Sequence, residues 1–258
     1  MPPLLDNKDP SAISVFVAPA LLREARRQKG IATADVPSVC ILDPDGDIVR
    51  RLRAAGQAQL AAEWPCYHTE LYRFPLAGKA VGIIGCAVGA PFAVLVAEEL
   101  FACGCKLVIS VTSAGQISPE GKPPYFVIIE RALRDEGTSY HYATPSDYSD
   151  ANPQLVAQAA AALKHAGATI LTGASWTTDA PFRETEAAIA AARARGILAV
   201  EMEAAALYAF AHAAKRKVLC VAHVTNTMAV AEQDFEKGEA DGTVDALRVL
   251  ELLVKLED

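Results

Sequence analysis

No stretch of this 258-residue chain is an apolar run of the roughly 18 residues that a membrane-spanning helix needs. A basic excess is also missing. The formal net charge is -7, whereas a general nucleic-acid binder carries a basic face. Met1 to Ser11 holds prolines and mixed charge where a secretory leader would place a basic stretch and an apolar core, so no leader is expected there. Cysteines with paired metal-binding spacing are lacking as well. Cys40, Cys86 and Cys220 fall inside apolar strand-like runs and read as small core residues of a reducing compartment. Cys103-Gly104-Cys105 is too tight for a zinc finger and has no matching His/Cys pair, so it is expected to be structural and no metal is expected. Internal repeats and low-complexity linkers are absent. These absences leave a soluble, cytoplasmic protein: an N-terminal helical extension over 1–38 and a single α/β domain over 39–258.

What is present is an alternation of short apolar runs with helical stretches. Val39 to Leu42, Ala80 to Cys86, Leu107 to Val111, Tyr125 to Ile129, Ala168 to Leu171 and Val218 to Val224 read as strands covered on both faces. Leu71 to Phe74 reads as an edge or hairpin strand. Helices are punctuated by Pro19 and Gly30, by Asp47 as N-cap and Gly56, and by Pro91 through Leu100. Further helices follow from Asn152-Pro153 to Gly167, from Phe182 to Gly196, after Glu201, and from about Val244. The pattern predicts a mostly parallel sheet with helices on both faces, which binds ligands at the carboxyl ends of its strands.

Those ends carry the chemistry. Gly85-Cys86-Ala87-Val88-Gly89 opens a helix, where free N–H groups favour an anion or simply make a tight turn. The spacing of Gly82, Gly85 and Gly89 does not match the dinucleotide fingerprint and argues against a nicotinamide enzyme. Thr112-Ser113-Ala114-Gly115 is a hydroxyl-rich turn able to hold an oxyanion or a ribose oxygen. His141, between Tyr140 and Tyr142, can orient a sugar hydroxyl or be a structural histidine. Phe182 and Arg183 suit a planar heterocycle, one by stacking and one by donating to ring acceptors. Asn226 offers a donor and an acceptor to the edge of a base. Glu201-Met202-Glu203 places two carboxylates where an apolar strand runs into a helix. The helix dipole favours acids there, and a ribose would bind them through two adjacent hydroxyls.

Val200-Glu201-Met202-Glu203-Ala204-Ala205, Thr178-Asp179 to Glu184, Gly137-Thr138-Ser139-Tyr140-His141 and Ser113-Ala114-Gly115 together resemble the nucleoside phosphorylase family. That family includes uridine phosphorylase, bacterial purine nucleoside phosphorylase and the methylthioadenosine nucleosidases. The resemblance covers Val39 to Leu250. It implies a three-layer α/β/α sandwich with a mixed, partly barrel-like sheet, assembled as homodimers or homohexamers with sites near a subunit interface. By resemblance, Glu203 would bind the ribose hydroxyls, Met202 would pack beneath the ribose and Glu201 would support the site. Phe182, Arg183 and Asn226 would meet the base, with Asn226 and His141 as the catalytic candidates. Gly85, Ser110, Thr112, Ser113 and His68 would line the phosphate or water site. The implied reaction cleaves an N-glycosidic bond in nucleoside salvage, without a cofactor and with inorganic phosphate as possible co-substrate.

The chain departs from the family's pattern at the nucleophile. A Gly-Asp-Pro-x-Arg segment is replaced by Leu42-Asp43-Pro44-Asp45-Gly46, with Arg50 and Arg51 one helical turn on. A second arginine is replaced by Ser110, and a third, supplied by a neighbouring subunit, falls near Tyr67 or His68. The nucleosidases' N-terminal glutamate has no counterpart. The base-protonating Asp of the purine enzymes falls on Asn226, which donates a hydrogen bond without transferring a proton. Three readings follow: phosphorolysis with altered phosphate ligands, hydrolysis, or nucleoside binding without turnover.

Overall fold

Strands that are apolar on both faces must be covered on both faces, and that requirement sets the architecture. The computed structural model describes residues 3–166, 170–227 and 237–257. Its strands are β1 (Val39–Asp43), β2 (Gln59–Leu60), β3 (Tyr72–Leu76), β4 (Lys79–Gly85), β5 (Leu107–Gln116), β6 (Tyr125–Asp135), β7 (Tyr148–Asp150), β8 (Ile170–Thr178), β9 (Ile197–Glu201) and β10 (Lys217–Thr227). The helices are α1 (Ala18–Lys29), α2 (Asp47–Ala54), α3 (Ala90–Ala102), α4 (Pro153–His165), α5 (Glu186–Ala194), α6 (Ala204–Ala214) and α7 (Thr243–Leu253).

All ten strands join one mixed sheet. β5, β9, β8, β6 and β10 close into a ring, because β10 pairs with β6 on one side and with β5 on the other. From β5 the sheet continues through β1, β4, β3 and β2. β1, β4, β5 and β10 run parallel, so their carboxyl ends lie together. β9 runs against β5 and meets it only at Gly115 and Gln116, which brings Glu201 to that same end.

α3 and α6 pack on each other, with Phe101 and Phe210 rings 5.9 Å apart. Every residue of α6 from Ala204 to Ala211 is buried, which explains its alanine-rich, all-apolar sequence. α1 packs on α3 and buries Leu22 and Ala25. As the sequence implies, Asn152 caps α4, its side chain accepting from the amides of Gln154 and Leu155.

Several elements differ from the sequence reading, each for a physical reason. Gly46, not Asp47, caps α2; its left-handed backbone (φ 74°) turns the chain, and the Asp43 side chain accepts from the Val49 amide instead. Phe182 lies in a 3-10 turn, Pro181–Arg183, and α5 begins only at Glu186 behind the Thr185 cap. Ala168 lies outside the described residues, and β8 runs on through Ser175-Trp176-Thr177-Thr178, past the Leu171 end expected for that strand. Pairing with β9 (Trp176 opposite Val200, Thr177 opposite Glu201) keeps those polar residues in the ladder. β5 likewise runs on through Thr112-Ser113-Ala114-Gly115, expected as a turn, because β10 pairs with it along that stretch. Cys86 is exposed past the end of β4, whereas Cys40 and Cys220 are buried core residues as expected. The Leu71 to Phe74 strand is realised as β3, which forms a hairpin with β4.

Tyr208 of α6 ties the ring internally: its hydroxyl donates to the Ile129 carbonyl (2.6 Å) and accepts from the Cys220 amide (2.9 Å). Tyr208→Phe removes both bonds inside a fully buried region and should destabilise the fold by about 1–3 kcal/mol. A urea titration with an unchanged midpoint would contradict this.

Candidate active site

Glu201 ends β9 in the interior, where a carboxylate is tolerated only if its oxygens are bonded. One oxygen accepts from the hydroxyls of Ser175 (2.9 Å) and Thr177 (2.5 Å). The other accepts from the backbone amides of Glu203 and Ala204, each at 2.7 Å, which are free donors at the start of α6. Burial raises the Glu201 carboxyl while these four donors oppose the shift. It therefore works as an internal cap on α6.

Glu203 is 1% exposed and differs from Glu201 in one respect. Its Oε1 accepts from the Gly89 amide at 2.7 Å, but its Oε2 is buried with no partner among the described residues. Gly89 holds a backbone (φ 87°, ψ 150°) open to glycine and precedes α3, so the amide at this helix start is taken up by the Glu203 carboxyl. Burial and then the Glu201 charge push the Glu203 carboxyl up to about 8, against the Gly89 amide and the Thr112 hydroxyl. Met202 between the two acids is half-buried.

A second cluster sits at the ends of β1 and β5. The Asp45 carboxylate accepts from the Ser113 amide (3.2 Å) and the Ser113 hydroxyl (2.9 Å). Lys237 Nζ lies 2.6 Å from Asp47 and 3.7 Å from Asp45. Burial works against the Lys237 charge, yet the Asp47 hydrogen bond and the two nearby carboxylates raise it. Asp43 is pushed up to about 7 by burial, with Asp45 and Asp47 adding to the shift. His223 stacks on Phe126 (centroids 4.4 Å apart) and is lowered by burial. A cavity of about 20 Å³ lies among Asp43, Asp45, Ser113, His223 and Lys237.

The structure thus brings together Glu201, Glu203, Gly89 and Thr112 in one group, and Asp45 and Ser113 in another. Ser110, in the arginine position, is buried, and its hydroxyl has no partner among the described residues. Gly85 lies against Val49 and Gly46, where an added Cβ would meet both at 3.2–3.3 Å. Arg50 pairs with Asp47, and Arg51 is exposed. Asn226 follows an irregularity in the β10–β5 pairing and lies opposite Gly115. Phe182 is 99% exposed and Arg183 is exposed beside it. Their loop is tied to the Gly137 segment by Asp179, which accepts from the Gly137 amide at 2.8 Å. His141 is exposed, its ring 3.1 Å from Lys8 Nζ at a separate cavity formed with α1 and α3. His68 lies beside Cys66 and Phe92, on the loop before β3. Sequence reasoning missed Lys237 and the roles of Asp45 and Gly89. The carboxylates at 43, 45 and 47 were the available signal for the acidic cluster.

A family model described as the phosphorylase superfamily matches residues 38–255. The purine nucleoside phosphorylase DeoD-type of Shewanella denitrificans is 29% identical over 163 residues, covering 60% of this chain and 67% of that protein. The enzyme of the same name from Shewanella frigidimarina is 29% identical over 158 residues with the same coverage. The DeoD-type 2 protein of Shewanella oneidensis is 28% identical over 158 residues, again covering 60% and 67%.

The carboxyl shifts have a sign that can be measured. Glu203, at about 8 in the fold against 4.5 ordinarily, keeps a proton that the unfolded chain has released between those values. Its contribution to ligand-free stability therefore falls as pH rises from about 4.5 to 8. Melts across that range should give a flatter decline, or a steeper rise, in Tm for Glu203→Gln than for the parent. Parallel curves would show that Glu203 titrates normally.

Proposed function

We propose that this chain, which belongs to the phosphorylase superfamily, cleaves the N-glycosidic bond of a nucleoside, with phosphate as the acceptor of the sugar. The observation that carries this reading is the unpartnered, buried Oε2 of Glu203 beside the fully bonded Glu201. A carboxylate oxygen shut off from water is a seat for a donor, and a ribose supplies two hydroxyls. Met202 would pack beneath the sugar. Hydroxyl donors at Oε2 would favour the ionised form over the protonated one that burial favours in the free chain, and as the C1′–N bond breaks the resulting Glu203 anion would stabilise the positive charge growing on the sugar.

On the leaving side, Asn226 would donate a hydrogen bond to the departing base while Phe182 stacks on it and Arg183 donates to its edge. The relatives' activity makes a purine nucleoside the first substrate to test. The exposed Phe182 supports a site completed next to a second copy, as a homodimer or homohexamer. A cytoplasmic setting is part of this proposal; among the described residues no helix is long and apolar enough to cross a membrane.

For the acceptor, Asp45 occupies donors that suit an oxyanion: the Ser113 amide and hydroxyl, with Lys237 near by. Phosphate would displace the Asp45 carboxylate and take over those bonds. A second reading, hydrolysis, is favoured by the size of the adjoining cavity: about 20 Å³ holds about one water. Asp45 would then accept the proton of that water.

Chromatography of free base from a purine nucleoside, with and without phosphate, separates the two. Phosphorolysis requires phosphate and yields a sugar 1-phosphate; under that reading Asp45→Asn should lower the phosphate KM. Under hydrolysis, release ignores phosphate and Asp45→Asn should lower kcat by about 10²–10⁴-fold, the usual worth of a general base. No base release under either condition, with binding retained, would overturn both. In calorimetry, Glu203→Ala should abolish nucleoside binding, and parent-like affinity would refute the placement of the ribose.

A further inference from the structure

Away from Glu203, three metal-ligating side chains come together. Cys66 and His68 lie on the loop between β2 and β3, and Glu99 lies on α3. The Cys66 sulfur, a His68 ring nitrogen and a Glu99 oxygen are all within 4.8 Å of one another, with Sγ 4.0 Å from Nδ1. Ligand atoms around a tetrahedral zinc, with bonds of about 2.0–2.3 Å, sit roughly 3.3–3.6 Å apart. Closing the present spacing takes shifts of about an ångström or less, and the exposed His68 ring is free to move.

Glu99 gives the independent indication. It is 1% exposed, and neither carboxylate oxygen has a partner at ordinary hydrogen-bond distance among the described residues, the nearby Cys66 thiol being the main group that opposes the rise burial causes in its carboxyl. A carboxyl in that state either holds a proton or meets a cation, and a cation here would be shared with the sulfur and imidazole beside it. The Lys29 ammonium does not bond it: its hydrogen bond goes to the Cys66 carbonyl at 2.5 Å, and it lies over the Tyr67 ring.

The sulfur is prepared in turn. Cys66 Sγ accepts from the His68 amide and from the Thr69 hydroxyl, each at 3.3 Å. Trp64 Nε1 donates to Thr69 Oγ1 at 3.0 Å, so the Thr69 proton is directed to the sulfur. Donors aimed at a ligating atom are the usual outer support of a metal site.

We propose that Cys66, His68 and Glu99 bind one zinc ion. Thiolate, imidazole and carboxylate together favour zinc over magnesium or calcium, which take oxygen donors. Three protein ligands leave a fourth position for water on the exposed His68 side. The site stands independently of the reaction proposed above.

Cobalt(II) titration of the full chain, carried in a Cys86→Ser background to remove the exposed thiol, tests this. One equivalent should bind with a thiolate-to-cobalt charge-transfer band and tetrahedral visible bands, and zinc should bleach both. Cys66→Ser should lose the charge-transfer band. His68→Ala and Glu99→Gln should weaken cobalt binding at least tenfold, and Thr69→Val by about 10–100-fold. His68 is exposed and Gln keeps the shape of Glu, so a native circular dichroism spectrum assigns their losses to ligation. The proposal fails if the parent shows no stoichiometric charge-transfer band, or if Cys66→Ser retains it.

Discussion

The structure depends on how Glu201 is bonded. A charged group at the end of an interior strand would ordinarily be among the costliest features of a fold, and here four donors surround it. Two of them come from β8 and two from the first turn of α6, so one carboxylate fixes a strand, its neighbour and the helix that follows. The same bonds hold the backbone of Glu203 in the turn from which its own carboxylate reaches Gly89. Thr177 adds to this fixation, since its oxygen also accepts the Ala205 amide at 2.9 Å. Orientation of Glu203 is thus a product of Glu201.

Both halves of the site are acidic, in different ways. Around Glu203 the acid is dry and crowded by another acid, which raises its proton affinity. In the other half Asp45 and Asp47 are partly solvated and share Lys237, so their charge is compensated rather than suppressed. The Asp45 carboxylate occupies the Ser113 donors of β5 in the free chain. Any acceptor entering there competes with a group tethered to the same chain, whose effective concentration is high.

The sequence made the main architecture legible because strands buried on both faces and proline- or glycine-punctuated helices leave strong local patterns. Glu201-Met202-Glu203 was legible for a related reason: carboxylates at an apolar strand end conflict with burial. What stayed hidden was long-range. Nothing local to Ser175 and Thr177 tells that pairing with β9 turns their hydroxyls toward Glu201. Gly89 and Glu203 meet across 114 positions, and Asp45 and Ser113 across 68. No local pattern announces either contact. His68 suggested an anion site by its place in the chain, whereas its neighbours Cys66 and Glu99 become visible only once α3 lies beside the loop. Phe182 followed a similar course: its type suggested stacking, but its full exposure depends on where the 3-10 turn projects.

The sheet's closure has a consequence for self-association. Because β10 joins β6 to β5, the ring strands have few free backbone groups to offer. The sheet's other end tapers to β2, two residues long, over β3, which carries Pro75 and an ion-paired Arg73. Short edges, proline and charge all discourage a foreign strand from docking. Backbone pairing between copies of this chain is therefore disfavoured, so any contact between copies would have to use side-chain surfaces rather than extend the ladder.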